Sequence, residues 1–228
     1  MRLSFRDPDG FVFREQGRIL RCIYPEAATG FHNFFASDFR RKLLDAGRIC
    51  PSWILAEQEA RQFAAGLPVG SVLVEHQPIS FPNFPWEWSP HMLYAAGEST
   101  LELAEGALLN GFLLKDATPN NLIFEGAHPV FIDELSFSQT DHPETVWRPC
   151  GQFVSTFLYP LLAATRFGMR LDEIFTVSRE GLDTARLWQM TPAWRLFLPP
   201  FLELVTLPRL ASAAGTADSA DGYRKRPT

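Results

Sequence analysis

Two features of the sequence predict an α+β chain laid out as two lobes: a small strand-rich lobe over residues 1–88 and a mainly helical one over residues 89–210. The apolar pattern changes from period 2 in the first part to period 3.6 in the second, as half-buried strands and amphipathic helices require. Between them runs Pro78-Ile-Ser-Phe-Pro-Asn-Phe-Pro-Trp-Glu-Trp-Ser-Pro90, whose prolines forbid a continuous helix and predict an extended connector. In such a layout the cleft between lobes is the natural ligand site.

The elements follow in order. Phe11 to Ile23 alternates around Gln16-Gly17 and reads as a hairpin. Phe31, Phe34, Phe35, Phe39, Leu43 and Leu44 recur at helical spacing, predicting one helix over residues 31–46 that Gly47 stops. Gly70-Ser-Val-Leu-Val74 reads as a strand, and Glu98 to Phe112 as an amphipathic helix. Leu122-Ile-Phe124 and Val130-Phe-Ile132 are short β-prone runs about the turn-forming segment Glu-Gly-Ala-His-Pro. Residues 146–167 and 192–207 are apolar and read as helical, with Pro160 kinking the first. Residues 211–228 turn to Ala, Ser, Gly, Thr and charge, the composition of a disordered tail.

With 228 residues, 46% of them hydrophobic and 21% charged, the chain can bury a real core. Its net charge of -5 offers no electrostatic footprint for nucleic acid or an anionic membrane, so neither is expected as a partner. Cys22, Cys50 and Cys150 are widely spaced and form no C-x-x-C pair, which argues against a disulfide framework or zinc knuckle. With no apolar run of signal-peptide or membrane-spanning length, a cytoplasmic location is the expectation. The five histidines show no H-x-x-x-H spacing, and Ser136 and Ser138 stand outside any G-x-S-x-G elbow.

The chemistry concentrates in Leu114-Lys-Asp-Ala-Thr-Pro-Asn-Asn-Leu-Ile-Phe-Glu-Gly-Ala-His-Pro-Val-Phe-Ile-Asp133. Antiparallel pairing of its two apolar runs brings their open ends together, so Asn121 and Asp133 should meet there, with Asp116 on the preceding loop. Two carboxylates and an amide suit a hard divalent cation and a polar substrate hydroxyl. The plainer alternative is a set of polar residues capping a surface hairpin.

This order and spacing, D-x-x-x-x-N followed after a short hairpin by Asp, resembles the protein-kinase-like superfamily, nearest to its aminoglycoside and choline phosphotransferases. The resemblance implies a protein-kinase-like two-lobed fold with ATP and Mg2+ as cofactors. By it Asp116 is the catalytic base, and Asn121 and Asp133 hold the metal. It also implies cofactor-binding roles for Arg21, standing in for a strand lysine, and for Lys115. For Arg21 the plainer reading is a strand residue facing solvent, and for Lys115 a structural pair with Glu134. Leu114 replaces the family's usual His, Glu134 follows Asp133 in place of an Asp-Phe-Gly, and no G-x-G-x-x-G loop precedes the first hairpin. Lysine occurs only at Lys42, Lys115 and Lys225, none on a first-lobe strand. These departures predict retained nucleotide binding with weak or absent phosphotransfer, as in a pseudokinase.

Phe-Pro-Trp-Glu-Trp-Ser, Leu-Lys-Asp-Ala-Thr-Pro-Asn-Asn and Pro-Val-Phe-Ile-Asp-Glu-Leu-Ser-Phe137 are also similar to bacterial proteins labelled class I S-adenosylmethionine-dependent methyltransferases, some of them nodulation-related. There the segment forms the N-terminal half, which implies a methyltransferase domain as partner. No strand followed by a G-x-G loop is present, so no S-adenosylmethionine site is expected in this chain. Two readings stand: a nucleotide-binding, kinase-like domain acting on a small molecule, or a non-catalytic recognition module beside a methyltransferase domain.

Overall fold

A computed structural model describes residues 7–140 and 147–211. They form two compact units, one of residues up to Phe84 with Ala95–Pro149, the other of Pro85–Tyr94 with the chain from Cys150 on. The fold is mixed α+β, with one small sheet, two short ribbons and several helices. None of the helices among the described residues is long and apolar enough to cross a membrane.

The first unit is built on a four-stranded sheet. Strands β1 (Gly10–Glu15) and β2 (Arg18–Ile23) form the expected hairpin, Glu15 opposite Arg18. Gln16 and Gly17 both take positive φ (49° and 81°), the two-residue turn that matches strand twist. Gly10 must lack a side chain, because a Cβ there would lie 2.2 Å from the Cys22 carbonyl oxygen. The expected single helix over 31–46 is instead two, α1 (Pro25–Phe35) and α2 (Asp38–Asp45). The break falls at Ser37, whose hydroxyl accepts from the Arg40 N–H at 3.1 Å and starts the second helix afresh. Gly47, at φ 63°, follows the second helix as anticipated. Strand β3 (Ser52–Ile54) and helix α3 (Glu57–Ala60) lie between there and β4 (Val72–His76). The sheet order is β1-β2-β4-β3, antiparallel throughout.

Strand alternation gives this sheet two different faces. Leu20, Cys22 and Leu73 pack with Leu55, Phe63, Phe11 and Phe13 on one. Ile23 and Val74 pack with Phe31 of α1 and with Leu135 on the other.

Helix α4 (Pro90–Leu109) starts eight residues earlier than the sequence suggested. Ser89 caps it through its hydroxyl, and Pro90 occupies the first turn, where its missing N–H costs nothing. The helix ends before Gly111, at φ 79°, so Phe112 belongs to strand β5 (Phe112–Leu114). Strands β6 (Leu122–Glu125) and β7 (His128–Phe131) pair as predicted, but around two residues, Gly126 and Ala127, with Pro129 inside the strand. The turn Glu134–Ser136 leads into β8 (Phe137–Gln139), which pairs with β5. Phe34 stacks on Phe137 at 4.3 Å and meets Phe112 edge-on at 5.5 Å, fixing α1 over that ribbon.

In the second unit, α5 (Cys150–Phe153) passes through a wide π-turn, Val154–Leu158, into α6 (Tyr159–Phe167). The disturbance falls just ahead of Pro160, which lacks an N–H and crowds the preceding turn. Helices α7 (Leu171–Phe175) and α8 (Thr184–Met190) follow. Tyr159 ties the unit together, its hydroxyl donating to the Leu204 carbonyl at 2.6 Å. The predicted helix over 192–207 is split at Pro199-Pro200: a 3-10 turn, Ala193–Phe197, precedes it, and helix follows over 201–211 with a π-turn, Leu202–Thr206, inside it. Of the aromatics in the connector, Trp88 is buried and Phe81 is 83% exposed. The tail expected from 211 lies outside the described residues beyond Ala211.

Candidate functional site

Leu135 positions the site. It is buried beneath the sheet among Ile23, Phe31 and Val74, so the residues flanking it, Asp133, Glu134 and Ser136, are carried under the same sheet face. Arg21 and His76 point to that face too, since they share it with Ile23 and Val74 by strand periodicity.

Arg21 donates from Nη1 to Asp133 Oδ1, and Asp7 Oδ2 lies 3.6 Å from the same nitrogen. Arg21 is therefore buried and paired, not facing solvent: its strand face is covered by the turn that follows β7. Ser136 donates to Asp133 Oδ2 at 2.6 Å, and Asn121 Nδ2 donates to Ser136 Oγ at 3.2 Å. Asn121 and Asp133 are thus joined through a serine hydroxyl. The hairpin register explains the offset: the Ile132 N–H donates to the Asn121 carbonyl at 2.9 Å, placing Asp133 one residue beyond the facing pair. Lys115 pairs with Asp9 rather than with Glu134. Asp116 lies on the exposed loop between β5 and the Pro119–Asn121 turn.

Beside this set is a second, more deeply buried one. Arg40 Nε donates to Glu134 Oε1 at 2.5 Å and Nη2 donates to Ser52 Oγ at 2.9 Å, while the Ser52 hydroxyl donates to Glu134 Oε2. The Arg40 and Glu134 side chains are only 7% and 3% exposed. The Arg40 guanidinium also sits 3.7 Å over the Phe35 ring.

Burial pushes the Asp133 carboxyl upward, but the Arg21 charge and the Ser136 hydrogen bond, with Lys115 adding, hold it below the ordinary carboxylate value. Asp7 is pushed the other way, by its own burial first and by the Asp133 charge, against a hydrogen bond from the Asp9 backbone. Burial, followed by the Arg21 and Arg40 charges, pushes His76 down to about 4 against the opposing Asp133 charge. His76 Nε2 and Arg21 Nε are buried with no hydrogen-bond partner among the described residues. Nor do three His, Cys, Asp or Glu side chains cluster as a metal site among those residues.

Sequence reasoning missed Ser136, Arg40, Glu134, Ser52 and His76 as members of this constellation. Only His76 carried a signal: Val72, Val74 and His76 continue one period-2 face, so a titratable ring had to follow two core valines.

No family model matches the chain. It is 33% identical over 216 residues to the nodulation protein NoeA of Rhizobium meliloti (strain 1021), covering 95% of this chain and 44% of that protein. The chain thus spans less than half the length of this relative. Among solved structures, the Mycobacterium tuberculosis PknI kinase domain superposes with a TM-score of 0.38 at 14% identity, over 73% of this chain and 80% of that one. A substituted form of the same domain gives 0.39 at 12% identity, over 69% and 70%.

Proposed function

We propose that this chain is a kinase-like, two-lobed domain that binds a nucleotide with magnesium and transfers its phosphoryl group slowly or not at all. What supports the reading is the gathering of Arg21, Asp133, Ser136 and Asn121 at the open end of the β6–β7 hairpin, with Lys115 and Asp116 leading into it. The donor set fits a hard cation and a phosphate: a carboxylate held ionised, an amide oxygen, a guanidinium and an ammonium. Magnesium, when bound, neutralises charge on nucleotide phosphates. Asp133 and Asn121 would hold it, Arg21 and Lys115 would take phosphate oxygens, and Asp116 would receive the proton of an attacking hydroxyl.

These charges neutralise one another within the chain, Arg21 with Asp133 and Lys115 with Asp9. Binding must therefore exchange internal pairs for ligand pairs, which weakens affinity. Without a glycine-rich cover and a strand lysine the γ-phosphoryl group is poorly positioned, and phosphoryl transfer depends almost wholly on positioning.

Isothermal titration with ATP, with and without magnesium, tests this. Binding is expected only with magnesium, abolished by Asp133→Ala and nearly intact in Asp116→Ala. Turnover at an ordinary kinase rate, of order 1–100 per second, would refute the slow-transfer part. Absence of nucleotide binding would favour the second reading, a recognition module that partners a methyltransferase domain. That alternative draws support from the internal satisfaction of the Arg40–Glu134–Ser52 set and from the length of NoeA beyond the matched region.

A further inference from the structure

The 3-10 turn Ala193–Phe197 sorts its side chains by its three-residue period. Leu196 is buried, whereas Trp194 and Phe197, one turn apart and so on one side, are 61% and 72% exposed. Arg195, within the same turn, is half-buried. Its guanidinium lies 5.1 Å from the Trp194 ring centroid and 5.9 Å from that of Phe167, and Nη1 donates to the Arg166 carbonyl at 3.4 Å. Two rings and a carbonyl in the last turn of α6 hold the group in place, but none of them carries a full negative charge. Arg195 and Arg166 line a cavity of about 210 Å³ with Trp194, Leu198 and the Pro199-Pro200 pair. No carboxylate lines it, and neither arginine forms an ion pair among the described residues. The acids of the helix that follows α6, Asp172 and Glu173, are engaged by Arg170.

We propose that this cavity is a binding site for the phosphate monoester head of a small aromatic molecule, separate from the nucleotide-binding set. Its lining belongs to the second unit, whereas Arg21, Lys115, Asn121 and Asp133 belong to the first. Charge decides the head. A phosphate monoester carries about two negative charges at neutral pH and matches two guanidiniums, whereas one carboxylate would leave an arginine uncompensated. Each planar fork also gives a phosphate two parallel hydrogen bonds. At about 210 Å³ the cavity is below the usual size for enclosing a whole organic ligand, so it takes the head and leaves the body at its rim. There the exposed Trp194 ring offers a face on which an aromatic body stacks, with Leu198 beside it in the lining.

Titration calorimetry of the whole chain, in chelator and without nucleotide, with phenyl phosphate, inorganic phosphate, benzoate and benzylamine tests the proposal. Phenyl phosphate binds at one site, at least about tenfold more tightly than inorganic phosphate or benzoate, and benzylamine does not bind. Arg195→Gln and Arg166→Gln each weaken phenyl phosphate at least about tenfold, since each removes charged hydrogen bonds to the head. Trp194→Ala abolishes the advantage over inorganic phosphate and leaves inorganic phosphate itself unchanged. If Arg195→Gln fails to fold, Arg166→Gln, at an exposed position of α6, gives the same reading. No binding of phenyl phosphate overturns the proposal, as does benzylamine binding equally well or full affinity in both arginine variants. A requirement for magnesium, or loss of binding in Asp133→Ala, would assign the phosphate to the nucleotide-binding set and overturn it as well. Tighter binding of a phosphotyrosine peptide than of phenyl phosphate would make this face a protein contact, and the small-molecule assignment would fall.

Discussion

Arg18 and Arg21 leave the same strand three residues apart and therefore on opposite faces of the sheet, and each meets carboxylates. Arg18 donates to Glu75 on the neighbouring strand and, at 2.6 Å, to Glu59 of α3, with Glu59 42% exposed. Its partners lie within the first sheet and the helix beside it. Arg21 instead meets Asp133, 112 residues further along the chain, and beside it Arg40 meets Glu134 at a separation of 94. The Arg18–Glu59 pair sits at a rim that water already reaches, where an ion pair contributes little. The inner arginines fix where the segment after the hairpin docks, because a misplaced turn would leave a buried charge unpaired.

The largest effect should come from the deepest pair. Glu134→Ala leaves Arg40 buried without its carboxylate and is expected to cost about 3–5 kcal/mol in urea unfolding. Arg40→Met combined with Glu134→Leu should recover most of that loss, since well-packed apolar replacements avoid the desolvation of both ions. A loss in Glu134→Ala no larger than in Glu59→Ala would break the contrast between the two faces.

Next comes the pH response of the inner face. The folded state holds His76 down to about 4, well below its unfolded value, so between those pH values the unfolded chain binds the extra proton. Stability attributable to His76 is thus fully present above about pH 6.5 and falls by about 3 kcal/mol as pH drops toward 4. Asp133, held below its ordinary value, contributes stability that is lost at still lower pH, while Asp7, raised, opposes it. Denaturant melts of His76→Gln should be flatter between pH 6.5 and 4 than those of the parent chain; an unchanged slope would remove His76 from the account.

Asp133→Asn keeps the shape but removes the charge that Arg21 faces, and should cost about 1–3 kcal/mol. The smallest effect belongs to the outer face. Glu59→Ala should change stability by less than about 1 kcal/mol, and added salt should erase much of the difference. A larger, salt-insensitive loss there would mean that the rim pair is as structural as the inner one.

Much of the fold was legible because its signals are local. The β1–β2 hairpin follows from alternation around Gln16-Gly17, and the β6–β7 pairing from two apolar runs about a glycine turn. The disturbance before Pro160 follows from its missing N–H. Other local signals were present but weaker than the apolar pattern beside them. Ser37 capping α2 and Pro90 starting α4 are single residues acting through backbone hydrogen bonds, which periodicity does not register. Strands β5 and β8 are three residues each and find one another 25 positions apart, so neither announces itself.

For the candidate site, the sequence by itself determined that Asn121 and Asp133 flank one hairpin, with Asp116 on the loop before it. Only the tertiary structure decided what each of them touches. Ser136 joins the two because the hairpin register sets Asp133 one residue past the facing pair. Arg21 is a buried partner of Asp133 because Leu135 seeks the apolar face beneath the sheet and draws its polar neighbours with it. Apolar burial is read from residue type and spacing, whereas the pairing of charges far apart in sequence depends on where burial has already placed the backbone.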